Sequence, residues 1–272
     1  MRALLLAPVL LLAACEEKTS DAWLGYVEGE DAFIAAPQAG WVSHIGVTRG
    51  AAVKDGQVLF TLDSDLQNAA AAQSRAQIAQ TEAQESEARA NLDYARKELT
   101  RQRNLVAARA GTRAALDLAQ SNYQSAEARV SQLAAQKASA QAGLSQSSYQ
   151  LSQRAVTALT HGRVEDIYFR NGEYAGAGAT VVSILPPENI YVRFFVPETA
   201  FGTVKVGQKV RIACDGCRDV TATITFIAQT QEFTPPVLFS VGSRAKLVYK
   251  LEARAPGGLP LNPGQPVDVH PL

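Results

Sequence analysis

Between Leu66 and Gln153 the chain has no proline, and glycine occurs there only as Gly111 and Gly143. Without breakers that third of the 272 residues is unsuited to a turn-rich β fold and reads as helix. Excess charge is missing too: 26 basic residues stand against 26 acidic ones. No polycationic surface is available to follow a phosphate backbone, so nucleic acid is excluded as a partner. Histidine is limited to His44, His161 and His270, and cysteine to Cys15, Cys214 and Cys217, which leaves no clustered metal ligands. Neither a nucleophile elbow nor a phosphate-binding Gly-Lys loop is present, so the expectation is a protein that is not an enzyme and carries no cofactor. Beyond the N-terminus no stretch is long and apolar enough to span a bilayer.

What is present begins with that breaker-free stretch. Read from Leu116 in alternating steps of three and four, it gives Leu116, Ala119, Tyr123, Ala126, Val130, Leu133, Lys137, Ala140, Leu144, Ser147 and Leu151. All but Lys137 and Ser147 are apolar, the seam of a coiled coil. A thinner seam precedes it through Ala71, Ile78, Ala88, Leu92, Ala95, Leu99 and Val106, interrupted by Ser74, Thr81, Glu85 and Gln102. Between the two, Gly111 suits a left-handed residue that ends a helix, and Thr112 suits the cap of the next. The spacing predicts an antiparallel hairpin with arms of about 60 Å.

The N-terminus carries one charge at Arg2, an apolar run from Ala3 to Leu12, and then Leu12-Ala13-Ala14-Cys15. This looks like a bacterial lipoprotein signal, which would make Cys15 the lipidated first residue of an exported, membrane-anchored chain. An ordinary secretory signal is the alternative, and it too exports the chain. Cys214 and Cys217 flank Asp215-Gly216, a dipeptide favoured in two-residue hairpin turns. A disulfide across the turn is the first reading, against a redox pair or half of a zinc site.

A repeat brackets the helical stretch. A constant offset of 122 residues maps Gly40 to Gly162, Val42 to Val164, Ile45 to Ile167, Gly50 to Gly172 and Gly56 to Gly178. Each copy reads as short strands punctuated by turn glycines and is too small to bury its apolar face alone. After Pro186-Pro187, alternating segments at Ile190 to Val196, Val210 to Ile212, Val220 to Phe226, Leu247 to Leu251 and Val267 to Val269 read as a small antiparallel barrel of about six strands.

Two half-motifs of the biotinyl/lipoyl type around a helical hairpin resemble the HlyD-like periplasmic adaptors, or membrane fusion proteins. The resemblance implies an elongated α+β protein in which a split lipoyl-like β domain is interrupted by the coiled-coil hairpin and followed by the barrel. Its expected segments are a lipoprotein signal over 1–15, a tether and N-terminal strand over 16–32, the first half-motif over 33–63, the hairpin over 64–153, the second half-motif over 154–185 and the barrel over 186–272. It further implies an efflux or secretion role in the periplasm, with inner-membrane anchoring through Cys15. The implied partners are an inner-membrane transporter, ABC type favoured, a TolC-like outer-membrane channel, and further copies of the chain in a ring of six. Adaptors that meet such channels share Arg, Leu and Ser at fixed intervals at the hairpin tip, which match Arg101, Leu105 and Thr112 here, with threonine in place of serine.

Arg103, Arg109 and Arg113 add positive charge beside them, and no acidic residue lies between Leu99 and Leu116. Arg101 as a solvated helix residue, Leu105 as a seam contact and Thr112 as a cap are structural roles compatible with docking. Phe233, Val237, Leu238 and Phe239, around Pro235-Pro236, form an apolar segment that could cover the barrel or contact a transporter or neighbouring subunit. The rival functions are an exported coiled-coil scaffold or chaperone, and a lipoyl or biotin carrier. The carrier reading lacks the modified lysine's setting, since ninety helical residues occupy the place of its tight turn.

Overall fold

The computed structural model describes residues 22–233 and 247–272. In chain order, strand β1 (Trp23–Gly29) is followed by β2 (Ala32–Ala35), β3 (Gly40–Ile45), β4 (Ala52–Val53) and β5 (Val58–Leu62). Helices α1 (Asp65–Ala107) and α2 (Arg113–Ser152) come next, then β6 (Ala155–Thr157), β7 (Gly162–Ile167), β8 (Tyr174–Ala175) and β9 (Thr180–Leu185). The last strands are β10 (Ile190–Pro197), β11 (Lys209–Ala213), β12 (Val220–Phe233), β13 (Leu247–Arg254) and β14 (Pro266–Pro271). The chain forms two units, one of Ala32–Ile184 and one that joins the N-terminal residues up to Asp31 to Leu185–Leu272.

In the first unit two four-stranded sheets, β2-β9-β7-β4 and β6-β5-β3-β8, enclose a common core that includes Val42, Phe60, Leu62, Val164, Val182 and Ile184. The offset of 122 carries the first sheet order onto the second, strand for strand. Each sheet takes strands from both sides of the hairpin, so neither half exists as a sheet alone. The hydrogen bonds repeat with the same symmetry. Gly50 N–H donates to Val164 O at 2.8 Å and Gly172 N–H to Val42 O at 2.7 Å; Gly56 N–H donates to Ala158 O and Gly178 N–H to Ala36 O, both at 2.8 Å. Gly50 and Gly172 stand at φ 81° and 88°, a left-handed conformation that glycine reaches without a steric cost.

The helices leave and re-enter this module at one place, where Leu62 N–H donates to Arg154 O at 2.8 Å. All the expected seam positions are buried or half-buried. The polar residues that thin the first seam belong to it. Thr81 and Glu85 are buried, at 4% and 6% exposure, and Ser74 meets Ser147 across the helices at 3.0 Å. Lys137 reaches Glu82 at 3.0 Å and Glu85 at 3.6 Å. These cross-helix pairs match one antiparallel register, which apolar alanine pairs alone would specify weakly.

The second unit is a closed barrel of order β1-β10-β13-β12-β11-β14, filled by Trp23, Val27, Phe194, Ile212, Ile224, Leu251 and Val269 among others. One strand comes from a place the sequence reading did not assign to it: β1, from the segment taken as a tether and N-terminal strand, lies between β10 and β14. Gly25 sits opposite Phe194, where a Cβ would come within 2.6 Å of Arg193 O and 2.7 Å of Phe194 Cβ. Cys214 and Cys217 are joined as a disulfide, with Cα atoms 5.5 Å apart. Asp215-Gly216 is the tip of a loop between Ala213 and Val220, longer than the two-residue turn expected from the dipeptide.

Two expectations follow for the hairpin. Leu133, 1% exposed, should cost about 3 kcal/mol on change to Ala through lost transfer and a residual cavity, read by urea unfolding with circular dichroism. The second concerns pH. The hydrogen bond from Arg89, opposed by desolvation and aided by the charges of Arg89 and Lys137, holds Glu85 below its usual 4.5. A depressed carboxyl stabilises above that value, and the contribution is lost as pH falls through the folded value. Lys137 is raised above 10.5, first by its hydrogen bond to Glu82, so its contribution is present below 10.5 and lost as pH rises through the folded value. Glu85→Gln should therefore flatten the acid limb of hairpin stability against pH, and Lys137→Met the alkaline limb.

Candidate docking surface at the hairpin tip

The tip is built by the way α1 stops. Ala108 N–H donates to Asn104 O at 3.0 Å, Arg109 N–H to Val106 O at 3.0 Å and Ala110 N–H to Leu105 O at 2.8 Å. These bonds satisfy carbonyls that the end of a helix leaves open. The left-handed residue is Arg109, at φ 58°, and not Gly111 as expected. Gly111 serves a different need. A Cβ there would lie 3.1 Å from Leu105 Cβ and 3.2 Å from Val106 N, a tight approach that a side chain would crowd by a few tenths of an ångström. Thr112 then adopts an extended conformation, and its Oγ1 accepts from Ala115 N–H at 3.2 Å, capping α2.

Arg101 and Leu105 are four residues apart on α1 and share a face. Leu105 is 38% exposed, and Arg101, Arg103, Arg109, Thr112 and Arg113 are all exposed. The charge at the tip is smaller than its sequence implies. Arg101 pairs with Glu98 at 2.5 Å, a carboxylate just outside the acid-free stretch, which also accepts from Gln102 at 2.8 Å. Arg103 donates to Gln120 Oε1 at 2.8 Å, tying α1 to α2. Arg109 and Arg113 remain as the exposed cations of the turn itself, and a fixed fork of donors suits carbonyl and carboxylate groups. Holding a non-glycine residue in the left-handed region costs energy, a feature that accumulates at sites of function.

Of the other expected positions, Cys15, Val237, Leu238 and Phe239 lie outside the described residues, and Phe233 ends β12. One polar cluster was not anticipated. On the barrel, Tyr191 Oη donates to Glu28 Oε2 at 2.6 Å, while Arg193 donates to Glu28 Oε1 at 2.6 Å and to Glu252 Oε1 at 3.0 Å. Burial first, and then the bond to Glu28, raise the Tyr191 phenol above its ordinary range. Burial opposes the charge on Arg193, but the hydrogen bonds to Glu252 and Tyr26 and the carboxylate charge of Glu28 outweigh it and hold the guanidinium firmly charged. These groups come from three strands far apart in sequence, and no local spacing announces them. Among the described residues no group of three or more His, Cys, Asp and Glu is placed to hold a metal, and no helix is long and apolar enough to cross a membrane.

No family model matches the chain. Over 197 residues, 67% of its length, it is 31% identical to a "UPF0194 membrane protein in asrC 5'region" of Acidithiobacillus ferridurans; the match spans 49% of that relative, so the chain covers about half of its length. Among solved structures it is similar to MacA of Actinobacillus actinomycetemcomitans, with a TM-score of 0.72, 17% identity, and 92% of this chain and 78% of the other covered. It is also similar to the membrane fusion protein Spr0693 of Streptococcus pneumoniae R6, with a TM-score of 0.57, 20% identity, and coverage of 93% and 99%. At these identities the structural likeness is one of fold.

The turn separates cap from strain. Thr112→Ala should lower hairpin stability by about 1 kcal/mol through loss of the cap. Arg109→Gly should raise it by about 1 kcal/mol by removing the left-handed penalty. Urea titrations of both variants check this.

Proposed function

We propose that this chain, which has the fold of MacA and of the membrane fusion protein Spr0693, is an HlyD-like periplasmic adaptor, a non-enzymatic bridge between an inner-membrane transporter and a TolC-like outer-membrane channel. In this reading the lipid on Cys15 holds the chain to the inner membrane, the transporter is of the ABC type, and copies of the chain assemble around it. Arg101, Leu105 and Thr112 dock the channel, with Arg103, Arg109 and Arg113 supplying charge. The Phe233 to Phe239 segment contacts the transporter or a neighbouring copy.

The observation that carries the reading is the single point at which the hairpin leaves and re-enters its module, Leu62 bonded to Arg154. A rod rooted in this way, with α1 alone 43 residues long and so about 64 Å, places its turn far from the sheets. An exported scaffold or chaperone would need the rod, but not a module interleaved from both sides of it. The left-handed Arg109 and the close-packed Gly111 favour a turn shaped for a partner.

The test is photo-crosslinking in cells from Leu105 and from Val237 in the full-length chain. Leu105 should capture an outer-membrane channel and Val237 an inner-membrane transporter whose sequence declares an ATPase. The double variant Arg101→Glu, Arg113→Glu should abolish export while the protein is present at normal levels. Export that survives both reversals, or capture of soluble client proteins from Leu105, overturns the reading.

A further inference from the structure

The symmetry of the split module allows its two outer faces to be compared position by position. Inward positions agree: Val42 and Val164 are 0% and 1% exposed. Outward positions do not. Where β3 carries Trp41, β7 carries Arg163; where β8 carries Tyr174, β4 carries Ala52. Trp41 pairs in register with Tyr174, and Ala52 with Arg163, so the substitutions occupy matching sites on the two sheets.

One face is therefore aromatic. Trp41 and Tyr174 are each 56% exposed and meet edge to face with centroids 5.2 Å apart. The opposite face offers guanidinium planes. Arg163 Nε donates to Glu165 Oε1 at 2.9 Å, and its Nη2 lies 2.7 Å from the same oxygen. Arg49 Nε donates to Glu165 O at 3.2 Å and lies 3.4 Å from Asp166 Oδ1, with its side chain 70% exposed. Carboxylate contacts at guanidinium nitrogens lie in the plane of the group and leave its flat surface free. An arginine oriented in this way is prepared to stack on an aromatic ring.

Trp41 and Arg163 spring from different sheets with the core between them, so the two surfaces point away from each other and cannot meet within one chain. Complementary chemistry on opposed faces joins copies head to tail, which gives a ring where the rotation closes and an open filament where it does not. Aromatic face against aromatic face would stop at a dimer and leave the arginines uncovered.

We propose that the Trp41–Tyr174 face of one copy packs head to tail against the Arg49–Arg163 face of a second copy of this chain. The inference rests on the adaptor reading and adds to it the two surfaces that meet.

The test uses the full chain in cells, with reporter cysteines placed beside the contact so that the proposed partners stay intact: Ser43→Cys on the aromatic face and Ala52→Cys on the arginine face. A short bismaleimide should give a ladder of dimer, trimer and larger species from the double variant, and none from either single variant. Adding Arg163→Glu or Trp41→Ala should cut the yield about tenfold, between the values for an exposed and a desolvated cation–π contact; Trp41→Phe should largely retain it. Thermal melting should show the module folded in each case. A dimer from Ser43→Cys alone overturns the proposal, as does full yield with Arg163→Glu. An absent ladder in cells where Leu105 still captures the channel sinks this interface and leaves the adaptor reading standing; a ladder without channel or transporter capture does the reverse.

Discussion

The structure depends on backbone hydrogen bonds that two distant segments can satisfy only for each other. Buried amides and carbonyls without partners are costly, and each half-motif alone has several. Gly50 donates to Val164 O while Gly172 donates to Val42 O, and Val42 and Val164 in turn donate to Glu173 O and Ala51 O at 2.8 and 2.9 Å. The exchange is reciprocal, so neither half gains from folding first. Whatever lies between the halves must bring its own ends together, and an antiparallel helical hairpin does this at little entropic cost because its closure is set by its own seam. The rod is thus both the projecting element and the device that allows its base to form.

The seam shows how that requirement is met. An alanine-rich interface pairs closely but discriminates poorly between registers, and a slip of one turn would displace Leu62 from Arg154. Polar layers at Ser74–Ser147 and around Lys137 with Glu82 and Glu85 give up some apolar burial and oppose such a slip, since a displaced register would leave Glu85 buried without its cross-helix cation. Accurate pairing near the tip then follows from pairing near the base.

Much of this was legible in the sequence, and the parts that were not share a cause. The offset between the half-motifs, the two arms and the cap at Thr112 are local or periodic signals, each with a direct physical meaning. The polar residues of the first arm looked like interruptions because their partners, Ser147 and Lys137, stand on the other helix. The strand at Trp23–Gly29 could not be assigned to the barrel from pattern, since its reason for carrying Gly25 is the main chain of β10 pressed against it. Gly111 was taken as the left-handed residue on propensity alone; the turn spends its glycine on close packing and puts Arg109 in the strained position instead. In each case the deciding contact lies outside the window from which the residue was read.

Symmetry in the core and asymmetry on the surface answer to different constraints. Interior positions such as Val42 and Val164 fill the same volume from two sides and are held alike by packing. Trp41 and Arg163 occupy matching sites but face solvent, where a substitution changes little in the stability of the module. A duplicated fold is therefore free to differentiate its two faces without losing the hydrogen-bond exchange that holds it together. Had the faces remained alike, each would offer the same chemistry to a neighbour, and any association would be between like surfaces. Once one face is aromatic and the other carries oriented guanidinium groups, the module acquires a direction, and direction is what a closed ring of identical chains requires of its subunits.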